Sequence, residues 1–447
     1  MIIGGGPTGL MLAGELRLGG VDVLVLERLA GPSGESRAGG IHARTMEILD
    51  MRGMLSPFLA EGRRLPRGHF AGIPLDFSGL PTRYPFLLTI LQRRIERLLE
   101  ARARELGVRL RREVAVTGLR QTADRVEIET TEGDLAAAYV VGCDGGRSTV
   151  RKLAGIDFPG TPGSMTAILG DVELTEPPAE PVFQRRTPHG NWSVLTFEPG
   201  WYRVITADFD RVADRDAPIT VDELRESLIR HAGTDFGLHS PRWISRYNDA
   251  ARLAARYRSG RVLLAGDAAH IHYPAGGQGL NTGVQDAVNL GWKLAAIAAN
   301  RQDQTLLDTY EEERRPVAER VLANTRAQTA LTRPDPQTSA LREVMANLVT
   351  FGDVNRSLSE MLAALDIRYP APAGAGHRAP DFDLPDGTRL YQHLHAARPV
   401  LLGLPSRRGL AALPGHGPAM LIRPDGHVAW VSDNGEAALE AALDRWC

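Results

Sequence analysis

Three short segments of this chain contain closely spaced glycines, and two of the three also carry an acidic side chain. One segment near the start has the spacing G-x-G-x-x-G, and its glycines are Gly4, Gly6 and Gly9. The second is CDGGRS, with Asp144, and the third is AGDAAHIHYPAGGQGLN, with Asp267. Glycines let backbone N–H groups approach a phosphate closely, and carboxylates accept hydrogen bonds from sugar or polyol hydroxyls. The pattern therefore predicts a binding site for a nucleotide-like ligand.

The elements around the first segment support this prediction. Ile2 and Ile3 read as the end of a buried strand, and apolar residues at helical spacing predict a helix from Pro7 to Leu18. The stretch VDVLVLE then predicts a second buried strand, which ends in Glu27. A strand, glycine turn, helix and strand followed by an acidic residue form a dinucleotide-binding unit. Because Glu27 can accept both ribose hydroxyls, the sequence favours FAD or NAD over NADP in this unit.

The other two segments have a similar local design. The second predicts a buried strand, a turn at Asp144 and a helix that begins near Ser148. The third predicts a strand over 262–265, a glycine-rich loop and a long helix whose first backbone N–H groups can receive a phosphate or an electron-rich ring oxygen. His270 and His272 in this loop are two residues apart, but further ligands at metal spacing are missing, so no metal site is predicted.

Composition limits the class of protein and its partners. A length of 447 residues predicts two to three domains. The 52 Lys and Arg nearly balance the 54 Asp and Glu, so neither nucleic acid nor a membrane surface is expected as a partner. No apolar run is long enough for a membrane-spanning helix, and no secretion signal is recognisable. With only two cysteines, the composition predicts a cytoplasmic enzyme that acts on a small molecule.

The three segments together resemble the FAD fingerprints of the single-component flavoprotein aromatic hydroxylases, which have the para-hydroxybenzoate hydroxylase fold. Within that family, ESRAGGIHARTMEILDMRGML and GHFAGIPLDF are similar to the aromatic polyketide hydroxylases. HAGTDFGLHSPRWISR and YVVGCDGGRSTVRKL are also similar to the rifamycin monooxygenases. The resemblance covers nearly the whole chain.

The resemblance implies an α/β fold with three parts. A Rossmann-like FAD-binding domain comprises residues 1–159 and 259–370, including C-terminal helices, and a β-sheet substrate-binding domain comprises residues 160–258. The stretch RYPAPAGAGHRAPDF is rich in Pro, Gly and Ala and is interpreted as a linker. Residues 378–447 are similar to a thioredoxin-like tail without C-x-x-C, which we expect to serve in packing or in dimer contact. The expected state is a monomer or a homodimer.

The same resemblance implies roles for individual residues. Asp144 together with Arg147 is implied to touch both FAD and the nicotinamide cofactor. The full set implied to bind FAD is Gly4, Gly6, Pro7, Thr8, Gly9, Glu27, Arg28, Arg37, Gln92, Val116, Asp144, Asp267, Pro274, Gly277, Gly279, Leu280 and Asn281. Aromatic residues of the β-sheet domain are candidates to line the substrate pocket, namely Trp192, Phe197, Trp201 and Tyr202. Arg368 lies where some relatives place an arginine near the substrate, although a surface position before the linker is an equal alternative.

The implied reaction needs no side-chain nucleophile. FAD would be reduced by NADPH or NADH, would react with O₂ to a flavin hydroperoxide, and would transfer one oxygen atom to a phenolic polycyclic polyketide. Ring hydroxylation and ring oxidation of the Baeyer–Villiger type both stay open. An antibiotic-inactivating rifamycin monooxygenase is the first alternative, and a non-catalytic flavin-binding protein is a more remote one. A flavin-dependent halogenase is disfavoured because the motif G-W-x-W-x-I-P is absent.

Overall fold

The computed structural model describes residues 1–213, 217–415 and 417–447. This part of the chain forms a mixed α/β structure with several sheets around a long central helix. In chain order the α-helices are α1 (Pro7–Leu18), α2 (Ala43–Met51), α3 (Leu55–Glu61), α4 (Gln92–Glu105), α5 (Thr149–Leu153), α6 (Val221–Ala232), α7 (Gln278–Ala298), α8 (Asp308–Leu331), α9 (Pro336–Val349), α10 (Gly352–Ala363) and α11 (Glu436–Trp446). Short 3₁₀ helices lie at Gly266–Ala268, Ala275–Gly277, Gln304–Leu307, Leu390–Leu394 and Ser432–Asn434.

A mainly parallel six-stranded sheet carries the predicted dinucleotide-binding unit. Its strands, in spatial order, are Arg258–Ser259, Val262–Leu264, Val140–Gly142, Ile2–Ile3, Leu24–Leu26 and Arg109–Arg111. Ile2 pairs with Val25 on one side and with Val141 on the other, so the strand before each of the three glycine segments belongs to one sheet. The carboxyl ends of parallel strands lie at one edge, which brings the three segments to a common side of the sheet. The predicted bounds of α1 are confirmed.

Helix α7 is the centre of this part of the molecule. It is apolar on most of its surface and is buried on nearly all sides, as expected for a helix inside a large core. It packs closely along α1, and a side chain at Gly291 would collide with Glu15. The close packing fixes the start of α7 relative to the first glycine turn.

Small sheets surround the six-stranded one. One three-stranded sheet comprises Leu135–Ala137, Val126–Thr130 and Val116–Gln121. A second three-stranded sheet comprises Gly160–Thr161, Ala251–Leu253 and His270–Ile271. A further one comprises Gly40–Ile41, Leu87–Thr89 and Arg63–Leu65, beside a hairpin of Arg67–Phe70 and Ile73–Asp76.

The middle of the chain forms an antiparallel five-stranded sheet, which we call the substrate sheet after its predicted role. Its strands, in spatial order, are Val182–Thr187, Gly190–Glu198, Trp201–Asp208, Thr166–Leu174 and Leu238–Tyr247. Helix α6, which Thr220 caps by accepting the Glu223 N–H, covers one face and packs Leu224 and Leu228 on it. Side chains alternate between the two faces of a strand, so every second residue points away from α6. We call that opposite side the inner face.

The C-terminal part is a four-stranded sheet with α11. Its strands, in spatial order, are Ala411–Leu413, Val400–Leu402, Met420–Ile422 and Val428–Val431, and the last two form a hairpin around the turn Pro424–Gly426, whose residue types are typical of a hairpin turn. Its buried side chains share one continuous apolar core with those around the six-stranded sheet. The thioredoxin-like character of this region stays a prediction.

The interpretation of RYPAPAGAGHRAPDF as a linker is wrong. Tyr369, Ala375 and Ala379 are buried, and the backbone of this segment pairs with the edge of the C-terminal sheet, as in the Gly376 N–H to Val428 carbonyl bond of 2.8 Å. The segment is therefore part of the packed structure, because its backbone polar groups are satisfied by the C-terminal sheet.

Among the helices of the described residues, none is both long and apolar enough to cross a membrane.

Candidate functional site

The first glycine turn is built for close backbone approach. Gly4 donates its N–H to the Leu26 carbonyl at 2.8 Å, and a Cβ on Gly4 would overlap the carbonyl of Cys143. A Cβ on Gly9 would in turn overlap the carbonyl of Gly4, whereas a Cβ on Gly6 would meet no atom within 4 Å. The turn is thus packed tightly on the protein side and open on the side of Gly6, before the first turn of α1. An anion can reach the helix N-terminus from this side.

Glu27 lies beside this turn, as its position at a strand end predicts. One carboxylate oxygen accepts the Gly5 N–H at 2.7 Å, and the other accepts the Leu29 N–H at 2.9 Å. These two bonds hold the side chain in one orientation. The carboxylate oxygens have further lone pairs for ribose hydroxyls. The neighbouring Arg28 is exposed.

Thr8 joins the first segment to the third. A Cβ on Gly266 or on Gly283 would collide with its side chain, so Thr8 fills the space that these two glycines leave. Gly266 lies in the third segment, and Gly283 lies on α7. Segments that are more than 250 positions apart in the sequence therefore meet at one threonine.

The second segment contributes a carboxylate that is satisfied on one side only. Oδ2 of Asp144 accepts the backbone N–H groups of Thr149 and Val150 at 2.7 and 3.1 Å. Its Oδ1 is buried and has no hydrogen-bond partner. A buried acceptor without a partner is costly, so this oxygen is available to a donor from a ligand.

The third segment places an unusual backbone at the start of α7. Gly276 and Gly277 have φ values of 68° and 65°, a left-handed conformation that favours glycine. A Cβ on Gly279 would lie 3.7 Å from His272 Nε2 and 4.0 Å from Asp267 Oδ1. The exposed carboxylate of Asp267, the imidazole of His272 and the free N–H groups of the first turn of α7 therefore converge.

Asn281 fastens this loop to the residues after Arg37. Its Oδ1 accepts the His42 N–H at 2.9 Å and the Thr45 hydroxyl at 2.7 Å, and its Nδ2 donates to the Gly277 carbonyl at 2.9 Å. His42 Nε2 donates to the Gly276 carbonyl at 2.7 Å, which leaves Nδ1 as a buried acceptor without a partner. Burial lowers the pKa of His42, so its ring is neutral near pH 7.

These features fit a flavin nucleotide. Besides Asp144 Oδ1, the buried side-chain atoms without partners in and around the segments include His42 Nδ1, His270 Nδ1, His272 Nε2 and Gln278 Nε2. They offer acceptors and a donor beside two helix N-termini, which is the set that a ligand with a pyrophosphate, a polyol and a polar ring edge requires. When bound, such a flavin supplies the redox chemistry that the protein itself lacks.

The remaining predicted cofactor residues surround the same region. Gln92 Oε1 accepts the Ala38 N–H at 3.0 Å and thereby holds the loop that carries Arg37. Arg37 is half exposed and donates to Ser245 Oγ of the substrate sheet at 2.9 Å. Val116 begins a strand and is buried, whereas Pro274 is exposed and Leu280 is half-buried at the start of α7. Pro7 is the first residue of α1.

The inner face of the substrate sheet meets these cofactor loops. Leu195 lies opposite Arg203, which lies opposite Asp171, so these residues share the inner face. Phe197 points to the same side, because its ring occupies the space above Gly39. This face therefore contacts the loop that carries Arg37 and Gly39.

Two of the predicted substrate aromatics lie on the face that α6 covers. Trp192 lies opposite Thr206 and packs with Leu228 of α6, and Tyr202 lies opposite Val172 on the same helix-covered side. The strand register turns both side chains toward α6 and away from the inner face, so it does not favour their predicted contact with the substrate. Trp201 at the strand start stacks beneath Arg242, whose guanidinium lies 3.5 Å from the ring centre.

Arg368 does not join this face. Its side chain is exposed, and its backbone pairs with that of His377 in the segment before the C-terminal sheet. The alternative of a surface arginine describes its position.

Sequence reasoning missed the polar residues of the inner face. Arg203 donates to both carboxylate oxygens of Asp171, and Trp243 Nε1 donates to the same carboxylate at 3.0 Å. Near the loop, Tyr247 stacks on Tyr273 with 5.7 Å between ring centres, and burial raises the pKa of Tyr247 well above its ordinary value. A single arginine within an otherwise mainly apolar strand, Trp201–Asp208, was the available signal, since Arg203 lies between Tyr202 and Val204.

Comparisons with known proteins agree with this architecture. The FAD-binding-domain family matches residues 1–325, and the C-terminal domain of aromatic-ring hydroxylases matches residues 411–447. The chain is 49% identical to a 12-dehydrotetracycline 5-monooxygenase/anhydrotetracycline 6-monooxygenase of Streptomyces rimosus, over 100% of this chain and 98% of that protein. It is 45% identical to a rifampicin monooxygenase of Streptomyces venezuelae, over 98% of this chain and 96% of that protein. The structure of an anhydrotetracycline hydroxylase from Streptomyces rimosus superposes with a TM-score of 0.92 at 48% identity, covering 100% of this chain and 98% of that one.

Proposed function

The chain belongs to the family of FAD-dependent aromatic monooxygenases that carry the FAD-binding domain matched here, and on this premise we propose that its substrate is a phenolic polycyclic aromatic polyketide. The reaction uses NADPH or NADH and O₂, as is usual for this class of enzyme. The observation that supports the substrate most directly is the similarity to an anhydrotetracycline monooxygenase along the whole chain, which includes the substrate sheet. A substrate of this kind is flat, and the inner face offers aromatic and planar cationic groups that stack on flat rings.

We assign the cofactor to the three glycine segments. The pyrophosphate would lie at the open side of Gly6, the ribose at Glu27, and the polyol between Asp267 and the first turn of α7. The ring would then lie along the loop from Pro274 to Asn281. Three features support this assignment. They are the open space at Gly6, the buried Asp144 Oδ1 without a hydrogen-bond partner, and the approach of Asp267 and His272 to Gly279.

The side chains around the ring would then exclude water and hold the substrate. Phe197 and the stacked pair Tyr247 and Tyr273 cover one side with apolar surface. The ion pair of Arg203 with Asp171 is neutral as a unit and links the sheet to the loop of Arg37. Neutral His42 has a free acceptor, Nδ1, for a hydroxyl group in this region. A site from which water is excluded favours transfer of an oxygen atom to the aromatic ring of the substrate over side reactions with water.

A rifamycin-type substrate is the second candidate. The 45% identity to a rifampicin monooxygenase favours it, and both substrates present an electron-rich phenolic ring system. A non-catalytic flavin-binding protein is a third interpretation, which the same experiment tests.

The test is a turnover assay with both substrate classes. The full chain is purified with added FAD, and NADPH and NADH oxidation under air is followed with anhydrotetracycline, an angucycline phenol and rifampicin, with products read by mass spectrometry. We expect one tetracyclic or angular phenol to stimulate NADPH or NADH oxidation and to gain one oxygen atom. A product from rifampicin alone would overturn the polyketide proposal. Bound FAD that neither nicotinamide reduces with any of these ligands would support the non-catalytic interpretation.

We further propose that the protein acts on a small molecule in the cytoplasm. Both of its cysteines, Cys143 and Cys447, are free thiols, as expected in a reducing compartment.

A further inference from the structure

A buried carboxylate lies behind the third glycine segment. Oδ2 of Asp286, on α7, accepts the Gly266 N–H at 3.1 Å and a hydrogen bond from His270 Nε2 at 2.7 Å. These two partners lie on either side of Asp267 in the sequence, and Asp286 itself is completely buried. Asp286 therefore holds both ends of the short turn that presents Asp267 at the surface.

Arg314 of α8 holds this carboxylate in place. Its Nε donates to Asp286 Oδ1 at 2.7 Å, and its Nη2 donates to the Thr282 carbonyl of α7 at 3.3 Å. Although burial alone raises the pKa of Asp286, the charges of Arg314 and His270 outweigh it and lower the pKa below its usual value. The carboxylate is therefore ionised at neutral pH and accepts all of these bonds at full strength.

The remaining guanidinium nitrogen of Arg314, Nη1, reaches the segment before the C-terminal sheet. It donates to the hydroxyl of Tyr369 at 3.1 Å. The ring of Tyr369 in turn lies on His427 of the C-terminal hairpin, with 4.1 Å between ring centres. Tyr369 and Arg314 are both buried, so water cannot replace either contact.

The chain of contacts is continuous from the C-terminal sheet to the turn of Asp267. If the Tyr369 hydroxyl is removed, Nη1 of Arg314 is left without this acceptor in a dry environment, which is costly for a charged donor. Arg314 must then shift toward another acceptor. It no longer holds Asp286 in the position from which this carboxylate accepts the hydrogen bonds of Gly266 and His270. A shift at this turn changes the position of Asp267 relative to α7.

We propose that Tyr369 is a positioning residue for FAD, acting through Arg314 and Asp286 on the turn that carries Asp267. On this view, the C-terminal part of the chain helps to hold the cofactor, although it is distant from the glycine segments in the sequence. The proposal rests on the assignment of FAD to those segments and does not depend on the identity of the substrate.

The test compares two buried tyrosines of the same region. In the full chain, Tyr369→Phe removes the hydroxyl that contacts Arg314, whereas Tyr391→Phe removes a buried hydroxyl that donates to the Ala379 carbonyl at 2.8 Å outside this chain of contacts. The FAD dissociation constant is measured by quenching of flavin fluorescence, and thermal unfolding is measured on the FAD-free protein. We expect Tyr369→Phe to raise the dissociation constant about fivefold to tenfold. Tyr391→Phe should leave it within a factor of two.

A second variant separates positioning from loss of folding. Arg314→Lys keeps the charge beside Asp286 but cannot reach all three acceptors, and we expect it to weaken FAD binding as well. If the two residues act through one chain of contacts, the double variant should bind FAD no more weakly than Arg314→Lys alone. Unchanged FAD binding in Tyr369→Phe, equal weakening by Tyr391→Phe, or additive effects of the two changes would each overturn the proposal. Because these readouts need no substrate, a failed turnover assay leaves this result independent.

Discussion

Arg203 and Asp171 form a two-point ion pair on neighbouring strands of the substrate sheet, with Nε–Oδ1 and Nη2–Oδ2 distances of 2.8 and 3.0 Å. The same guanidinium donates to the main-chain carbonyls of Ser36 and Arg37 in the FAD-binding part. Arg203 thus connects the inner face of the substrate sheet to the loop that we assign to the flavin edge. A planar guanidinium with several fixed donors is suited to this task, whereas an ammonium group is not.

We expect Arg203→Lys to impair coupling between NADPH or NADH oxidation and hydroxylation. Lysine keeps the positive charge beside Asp171 but loses the contacts to the loop, so the sheet and the flavin loop are no longer held together. We expect a fall of about tenfold in kcat/KM and a lower ratio of product to oxidised NADPH or NADH, because bonds from charged donors contribute about 1.5–3 kcal/mol each. The control is Arg246→Lys on the helix-covered face, where Arg246 pairs with Glu223. If both variants show the same coupling, the assigned role of Arg203 is wrong.

Phe197 and Trp192 provide a test of which face of the sheet meets the substrate. Trp192→Ala removes a ring from the core beneath α6 and should lower the free energy of unfolding by about 3–5 kcal/mol. The KM of the folded enzyme should stay unchanged. Phe197→Ala should instead raise the KM several-fold with a small change in Tm. Steady-state kinetics and thermal unfolding of both variants decide the matter, and a raised KM in Trp192→Ala would contradict the observed register.

The contact between Thr8 and Gly283 predicts that a larger side chain at position 283 is tolerated only when the side chain at position 8 is made smaller. A methyl group at Gly283 collides with the Thr8 hydroxyl, so Gly283→Ala should separate α1 from α7 and weaken FAD binding. Adding Thr8→Ala removes the hydroxyl and leaves a methyl group at ordinary distance. We expect the double variant to bind FAD like Thr8→Ala alone, as measured by flavin fluorescence. Additive weakening would show that the two sites do not interact.

His427 makes the contact between Tyr369 and the C-terminal hairpin sensitive to acid. Burial lowers its pKa to about 4, from an ordinary value of 6.5 in the unfolded chain. Between these two values the unfolded chain binds more protons than the folded one, so stability falls as the pH falls from 6.5 to 4. The loss from this residue is at most about 3 kcal/mol. Denaturant unfolding at pH 7 and pH 5 should show a smaller loss in His427→Gln, and an equal loss would exclude His427 as the cause.

Local patterns in the sequence were sufficient for the nucleotide-binding part. The bounds of α1, the position of Glu27 at a strand end, the Ser148 and Thr220 caps and the C-terminal hairpin all follow from residues within one turn or one strand of each other. The three segments could also be placed on one side of the structure, because parallel strands end at a common edge. Glycine spacing and strand patterns encode such features because they depend on short-range sterics and backbone hydrogen bonds.

Only the tertiary structure decided which side chains lie on the inner face of the substrate sheet. Trp192 and Phe197 belong to the same strand, Gly190–Glu198, and the alternation of side chains fixes that they point to opposite sides but not which side α6 covers. The contacts of Arg203 with Ser36 and of Arg314 with Tyr369 join residues 167 and 55 positions apart. The segment after Arg368 has the composition of a linker, yet it is ordered by pairing with the C-terminal sheet. Such contacts depend on how separate elements pack, and no pattern within a single element records the partner that it will meet.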